Sequence, residues 1–294
     1  MITEMIFGKS PVSTVVIPVY NGEKYLRDSL LSVADQVSEF EFEVLVLNDG
    51  STDNSLNIAR EFERNYQNFK VVDLPKSGLV AVLNQSLGLV NTPLISRHDA
   101  DDLMVVGRLQ SQIRDFQLNS KLNCVGGQIT LFSESKSKSD FKANYYPEDD
   151  KTIKSQIMKK NVFASPTVTY CRFCAIRVGG YRSCCDGAED YDLWLRLTEF
   201  GLMKNDSRIW TYYRVHPEQV TQSKTWKVYR STLYAKILFL VNSKLGLELS
   251  NEQIPECHRE RKNSIIQRLP VVGFLLLDFL RLILFTMKKI AGKK

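Results

Sequence analysis

Short runs of β-branched residues alternate with amphipathic segments from residue 12 to about residue 130. The first runs read TVVIPVY, FEVLVLND and KVVDL, and segments such as YLRDSLLSVADQ and SLNIAREFERNY repeat apolar residues at helical spacing between them. This alternation predicts βαβ units and a mostly parallel sheet. With 294 residues, 44% of them hydrophobic, the chain is long enough for one large α/β domain with an appendage.

Three of the predicted strands end in polar residues. The first ends in Tyr20–Gly22, the second in Asn48–Ser51 and the fourth in Asp99–Asp102. Ligands of open α/β sheets bind outside the carboxyl ends of the strands, where the chain order leaves a crevice. We therefore expect these three strand ends to converge on one ligand-binding rim.

The run Asp99-Ala100-Asp101-Asp102 allows two interpretations. Carboxylates crowded at one strand end repel one another unless a hard divalent cation with oxygen ligands, such as Mg²⁺ or Mn²⁺, binds between them. Alternatively, the acids cap a helix that is predicted to begin just after them, where the helix dipole favours negative charge. The residues alone leave both interpretations open.

Asp49 and Tyr20 are candidate contacts for a nucleobase. The Asp49 carboxylate could accept a hydrogen bond from a base N–H, and the Tyr20 ring could stack on a planar group. As structure alone, this is an ordinary loop in which Gly50 allows a tight turn and Ser51 or Asp53 caps the next helix. The chain has no Gly-x-Gly-x-x-Gly or Gly-Lys-Ser/Thr loop, so a nucleotide would have to be held by a metal and by contacts to its edges.

An acidic amphipathic helix is predicted from about Glu189 to Phe200. Glu189 and Asp190 fall in its first turn, where the helix dipole tolerates negative charge. A carboxylate fixed at a rigid helix start is a candidate general base for a hydroxyl group. His216 follows an aromatic run further along, and a lone histidine is by itself more often structural than a ligand.

The excess positive charge of six lies in the last forty residues, which hold nine basic and three acidic side chains. A nucleic-acid binding body would spread a basic stripe over a folded face, so we expect no nucleic-acid partner. Residues 269–287 are nearly long enough to span a bilayer, but Asp278 and Arg281 interrupt them. We predict that residues 265–294 form a basic amphipathic helix on a membrane surface; packing of this helix on protein is the alternative.

Six cysteines and no recognisable signal peptide at the start, MITEMIFGKS, are typical of a protein in a reducing cytoplasm. The pairs Cys171-x-x-Cys174 and Cys184-Cys185 could also belong to a zinc site, although both lie in runs that indicate strand and turn.

Taken together, these motifs resemble those of the family 2 glycosyltransferases, inverting enzymes on the GT-A fold. The resemblance implies a Rossmann-like mixed, mainly parallel sheet with flanking helices over residues 1–222. It divides this domain into a nucleotide-sugar half at about 12–130 and an acceptor half at about 131–222, followed by a helical extension over 223–294. The matching segments, in chain order over about residues 12–222, are IPVYN, NDGSTDNS, SGLVAVLN, SRHDADD, RLQSQ, PTV, VGGYR, GAEDYDLWLRL and YRVH.

By this resemblance, Pro18, Tyr20 and Glu23 would line the nucleotide pocket, and Asp49 would contact the base. Asp99 would approach the ribose of the donor. Asn48 stands where the family usually has a further acid, which removes one negative charge near the base.

The resemblance also implies where the chemistry takes place. Asp101 would be the principal carboxylate ligand of Mn²⁺ or Mg²⁺, Asp99 would lie at the same metal, and His216 would complete the metal and diphosphate site. Asp190 matches the catalytic base of the family, with Glu189 beside it and near the acceptor.

The expected function is transfer of one sugar, a hexose or N-acetylhexosamine, from a nucleotide-sugar with UDP as the expected nucleotide. The expected acceptor is a lipid-linked saccharide of a bacterial surface polysaccharide, and the expected location is cytoplasmic, at the inner face of the cell membrane. The alternatives are a sugar nucleotidyltransferase, or an inactive sugar-binding or scaffold subunit. A sugar nucleotidyltransferase normally needs a Gly-rich basic loop near its first strand, and the segment IPVYNGEKYL supplies none. An inactive subunit would have no reason to keep its acidic residues and late histidine, namely Asp99, Asp101, Asp190 and His216.

Overall fold

The structure is a computed structural model that describes residues 11–133, 142–216 and 225–245. The polar run SESKSKSD at 133–140, whose composition indicates an exposed loop, lies outside these residues apart from Ser133. The predicted membrane-associating segment 265–294 lies outside them as well.

The first part of the chain alternates strand and helix as predicted. Each of its first three helices follows one strand and leads to the next. The apolar residues of each helix recur on one face, and this face packs on the sheet. The elements are β1 (Ser13–Val19), α1 (Glu23–Ala34), β2 (Phe42–Asp49), α2 (Ser55–Asn65), β3 (Phe69–Leu74), α3 (Leu79–Leu89), β4 (Leu94–Arg97), β5 (Leu103–Met104) and α4 (Arg108–Leu118).

The second part of the chain contains longer strands and shorter helices. The β-branched run from Pro166 to Tyr170 indicates a strand, but residues Ser165–Thr167 form a 3₁₀ turn and the strand starts only at Thr169. Proline has no N–H to donate to a sheet, which explains the late start. The elements are β6 (Leu122–Phe132), β7 (Lys142–Asn144), α5 (Asp150–Gln156), β8 (Thr169–Cys171), α6 (Arg172–Arg177), α7 (Glu189–Leu197), β9 (Leu202–Arg214) and α8 (Thr225–Leu245).

The strands of the described residues form one sheet in the order β3-β2-β1-β4-β8-β6-β9-β5, with β7 paired to β6. Strands β1 to β4 pair in parallel, and so do β6 and β9. The antiparallel pairings, such as β4 with β8 and β5 with β9, are only two or three residues long. The mixed, mainly parallel sheet is therefore confirmed.

Two apolar clusters cover the sheet, one on each face. One cluster joins α1, α2 and α4 to the sheet through residues such as Leu26, Phe62 and Ile113. The other joins α3, α5, α7 and α8 to it, with the fully buried Trp194 among its members. Because both faces of the sheet are covered, the polar residues at the carboxyl ends of the strands are the part of the sheet left open to a ligand.

The described part of the C-terminal extension packs on the second part of the chain. In α8, Tyr234, Ala235 and Leu238 are buried in the same apolar cluster as Trp194 of α7. Near the start of α8, the ammonium of Lys227 contacts the Asp186 carboxylate just ahead of α7. Within residues 11–133, 142–216 and 225–245, no helix combines the length and apolar character that a bilayer crossing requires.

Truncating a buried side chain of α8 is expected to destabilise the fold. Leu238 is fully buried, whereas Leu240 on the same helix is 40% exposed. We expect Leu238→Ala to lower the free energy of unfolding by about 2–5 kcal/mol, because a buried leucine loses its packing and leaves a cavity. Leu240→Ala is the matched control, and urea unfolding of both variants measures the difference. Equal losses would show that α8 does not pack on the core.

Candidate active site

The loops that follow β1 and β2 are joined by hydrogen bonds. The backbone N–H of Asn21 donates to Ser51 Oγ at 3.0 Å, and the N–H of Thr52 donates to Asn21 Oδ1 at 2.8 Å. Asn21 adopts a positive φ of 50°, which asparagine tolerates better than most residues. These bonds bring the first two polar strand ends together, as expected from the parallel pairing.

Glu23 and Pro18 lie at the same rim. The Glu23 carboxylate accepts a hydrogen bond from the N–H of Asn54 at 2.8 Å, and the N–H of Glu23 donates to Asp53 Oδ2 at 3.0 Å. In this arrangement the start of α1 is joined to the residues just before α2. Pro18 is half-buried within β1. The expected contacts of these two residues with a nucleotide stay predictions.

Asp49 organises the turn that precedes α3. Its Oδ1 accepts a hydrogen bond from the N–H of Ser77 at 2.7 Å, and its Oδ2 accepts from the N–H of Gly78 at 3.0 Å and from Lys76 Nζ at 2.8 Å. Burial by itself would raise the pKa of Asp49, but these hydrogen bonds outweigh it and lower the pKa below its usual value. Asp49 is therefore held as a carboxylate at the rim.

The loop after β4 is fixed from two sides. Ser29 of α1 donates to the backbone oxygen of Asp99 at 3.0 Å, and the Arg97 guanidinium donates to Asp99 Oδ1 at 2.8 Å. Helix α4 begins only at Arg108, with Gly107 at its N-cap position and β5 in between. The alternative in which the acids of this loop cap a helix is therefore wrong.

Asp101 and His216 lie side by side although 115 positions separate them. His216 Nε2 is 2.9 Å from Asp101 Oδ2, and the imidazole ring packs against Tyr25 at 4.7 Å between centroids. Arg214, two residues earlier, joins the end of β9 to the loop: its Nε donates to the Asp101 carbonyl at 2.8 Å, and its N–H donates to Asp102 Oδ1 at 2.9 Å. The fold thus delivers the late histidine to the acidic loop.

The acids of this loop repel one another. Burial, reinforced by the charge of Asp99, raises the pKa of Asp101, and the same causes raise the pKa of Asp102 well above its usual value. A cation placed there would relieve this repulsion, and adjacent carboxylate and imidazole donors suit Mn²⁺ or Mg²⁺. The donor chemistry of Asp101, His216 and Asp99 therefore fits a divalent metal, although the described residues contain no three side chains already arranged as metal ligands.

That result also bears on the cysteines. Cys124, Cys171, Cys174, Cys184 and Cys185 are free thiols, and none belongs to a ligand set within the described part of the chain. The zinc interpretation gains no support from them.

Glu189 and Asp190 open α7, and Asp190 lies within electrostatic range of Asp99 in the acidic loop. Burial raises the pKa of Asp190, whose Oδ1 accepts from the N–H of Tyr191 at 2.6 Å. Burial and the neighbouring charge of Asp190 raise the pKa of Glu189 to about 7, and its Oε2 accepts from the N–H of Gly187 at 2.7 Å. The charge of Asp99 also raises the pKa of Asp190, so the two acids interact across the site.

Arg97 is a site residue that sequence reasoning missed. Its side chain is 5% exposed and lies beside Asp99, and its positive charge favours the ionised forms of both Glu189 and Asp190. Its Nε has no hydrogen-bond partner among the described residues. The available signal was a charged residue inside the apolar run LISR, where a buried cation needs a counter-charge.

The third acid of α7 has a different position. Asp192 is fully buried and receives guanidinium contacts at 2.6 Å from both Arg182 and Arg196. Arg196 also donates to the carbonyl of Gly180 at 2.7 Å, which anchors α7 to the preceding turn.

His98, directly before Asp99, is fully buried. Burial lowers its pKa to about 3, so it fills the strand face as a neutral side chain.

Residues 14–179 match the sequence profile described as Glycosyl transferase family 2. The O-antigen biosynthesis glycosyltransferase WbnJ of Escherichia coli is 30% identical, over 77% of this chain and 88% of that protein. The chain spans only about a fifth of the longer hyaluronan and chondroitin synthases of Pasteurella multocida that it also matches.

Two solved structures share the fold. S. aureus TarS 1–349 in complex with UDP-GlcNAc aligns with a TM-score of 0.60 and 20% identity, over 82% of this chain and 78% of that one. The mannosyltransferase PcManGT from Pyrobaculum calidifontis in complex with GDP-Man and Mn²⁺ aligns with a TM-score of 0.58 and 16% identity, over 82% and 66%.

Neutralising Glu189 is expected to stabilise the protein at high pH. The pKa of Glu189 is raised from 4.5, the value expected in the unfolded chain, to about 7 in the folded protein. The free energy of unfolding therefore falls as the pH rises between these two pKa values, because the folded protein holds the proton more tightly. We expect Glu189→Gln to raise the melting temperature by a few degrees at pH 8, and the gain to shrink as the pH approaches 4.5.

The matched control is Glu63→Gln. Hydrogen bonds from Arg60 and from the N–H of Val71 outweigh burial and lower the pKa of Glu63, so its neutralisation should lower the melting temperature at pH 8. Thermal scans between pH 5 and 8 give both results. A Glu189→Gln effect that is independent of pH would contradict the raised pKa.

Proposed function

The chain belongs to glycosyl transferase family 2, and we propose that it is an inverting glycosyltransferase with Asp190 as its general base. The observation that carries this proposal is the arrangement around Arg97. Asp190, Glu189 and Asp99 share the field of this buried cation, and the loop of Asp99 also holds Asp101 beside His216. The family match favours sugar transfer over synthesis of the nucleotide-sugar itself.

The proposed reaction is a single displacement. The acceptor hydroxyl oxygen attacks the anomeric carbon as Asp190 takes the hydroxyl proton, and the bond from that carbon to the nucleoside diphosphate breaks on the opposite face. The electron pair of the broken bond leaves on the diphosphate oxygen. Burial that raises the pKa of Asp190 makes it a stronger base than an exposed aspartate, and Arg97 limits that rise so that the carboxylate remains available.

We propose that Asp101 and His216, with Asp99 beside them, hold Mn²⁺ or Mg²⁺. Such an ion supplies positive charge for the diphosphate. The chain's own residues prepare this position: Arg214 fixes the backbone of Asp101, and Tyr25 supports the ring of His216. The negative charges of Asp99 and Asp101, which repel each other, would both attract the bound cation.

We propose UDP as the donor nucleotide and a saccharide of a bacterial surface polysaccharide as the acceptor. The likeness to WbnJ, named for O-antigen biosynthesis, and to TarS, seen with UDP-GlcNAc, supports this choice. A lipid-linked acceptor would be met at the cytoplasmic face of the membrane, which agrees with the basic, apolar composition of residues 265–294.

Replacing the proposed base is expected to separate chemistry from donor binding. Asp190→Asn should lower turnover about 10²- to 10⁴-fold, because general-base catalysis is lost, and should leave the donor affinity nearly unchanged. Asp35→Asn, an exposed aspartate after α1, is the matched control. Transfer and binding assays with UDP-sugars check both. Near-normal transfer by Asp190→Asn would remove this residue from the role of base.

Stabilisation by Mn²⁺ is expected to require Asp101 and His216. For the unchanged chain, Mn²⁺ together with UDP should raise the melting temperature more than UDP alone, because a ligand that binds only the folded state stabilises it. Asp101→Asn and His216→Gln should lose this extra increment, and EDTA should abolish it. An increment that survives in both variants would place the metal elsewhere.

A further inference from the structure

One side chain, Lys76, engages both groups that are expected to bind the nucleobase. Its ammonium lies 2.8 Å from Asp49 Oδ2 and 2.9 Å from the centroid of the Tyr20 ring. The Lys76 side chain is 47% exposed and Tyr20 is 49% exposed, so both can be reached from solvent. A cation over the ring face and an ion pair with the carboxylate thus share a single ammonium group.

The other donors to Asp49 belong to a fixed turn. The N–H groups of Ser77 and Gly78 bind the carboxylate at 2.7 and 3.0 Å, and Ser77 Oγ adds a longer bond at 3.2 Å. A Cβ at Gly50 would lie 2.8 Å from the backbone nitrogen of Lys76, so the end of β2 and this turn are in close backbone contact. Of the donors to Asp49, the Lys76 ammonium is the one at the end of a long side chain, whereas Ser77 Oγ is bonded directly to Cβ and the other two donors are backbone N–H groups.

We propose that Lys76 occupies the nucleobase pocket of the free enzyme and leaves it when the donor binds. This inference rests on the proposed function. A base that stacks on Tyr20 takes the position of the ammonium over the ring, and a base N–H that bonds to Asp49 replaces the ammonium at Oδ2. Uracil, thymine and guanine offer a ring N–H next to a carbonyl, which is a stronger donor than the exocyclic amino group of adenine or cytosine. We therefore expect the pocket to bind the first three bases in preference to the other two.

Removal of Lys76 should strengthen the binding of a neutral nucleoside. The ion pair and the cation–π contact are both partly exposed, and each contributes modestly at such sites. Their combined loss from the free state corresponds to about 3- to 30-fold tighter binding. A nucleoside is the right probe because it carries no phosphate, whose attraction to the lysine charge would act in the opposite direction.

The test compares the full chain with Lys76→Met and Lys70→Met. Lys70 of β3 pairs with Glu43 at 3.0 Å and is exposed, so it is a matched lysine outside the pocket. Dissociation constants of uridine, thymidine, guanosine and adenosine are measured by ligand-observed NMR. We expect Lys76→Met to bind the best nucleoside of the first three about 3- to 30-fold more tightly, and Lys70→Met to bind it like the unchanged chain.

Salt provides an independent readout. Screening weakens an exposed ion pair, so added NaCl should strengthen nucleoside binding to the unchanged chain and to Lys70→Met. Lys76→Met should lack this salt response. Because the comparison is made within each protein, a general loss of stability in the variant does not imitate it.

Three results would overturn the inference: an unchanged or lower nucleoside affinity in folded Lys76→Met, undetectable nucleoside binding to that variant, or a preference for adenosine. UDP-, dTDP- and GDP-sugars are measured in parallel. Their failure to bind any of the proteins would contradict the proposed function, whereas their binding together with an unaltered nucleoside affinity in Lys76→Met would contradict only the role of Lys76.

Discussion

The site depends on the balance between buried acids and one buried cation. The fold brings Asp99, Asp101, Glu189 and Asp190 to the same rim, where burial and mutual repulsion raise the pKa values of the last three. Arg97 opposes this effect from within β4. A rim with this excess of negative charge favours a metal ion and leaves a carboxylate basic enough to accept a proton.

Both properties need the surrounding protein to hold the acids against their repulsion. Arg214 ties the end of β9 to the acidic loop, and Arg182 and Arg196 fix α7 through Asp192. Helix α8 adds its buried face to the same apolar cluster as Trp194. The C-terminal extension is thus, in its described part, a structural support of the helix that presents the proposed base.

The alternation of strand and helix and the convergence of strand ends could be predicted because both follow from local periodicity and from parallel pairing. Strands β6 and β9 were harder to recognise, because Gly126 and Gly127 in β6 and the polar run KNDSR in β9 resemble turns. The antiparallel pairing of β9 with β5, in which Leu103 lies opposite Tyr212, is what brings His216 to Asp101. Likewise, the effect of Arg97 on Glu189 and Asp190 and the pairing of Lys76 with Asp49 join residues distant in sequence. No spacing rule indicates such partners. The assigned roles of the site residues stay predictions.

The most direct test of this account is a crystal structure of the protein grown with Mn²⁺ and UDP, with the metal located by its anomalous scattering. The account predicts an anomalous peak in contact with Asp101, His216 and the diphosphate, and uracil seated between Tyr20 and Asp49. A peak remote from Asp101, or UDP bound at another edge of the sheet, would contradict it.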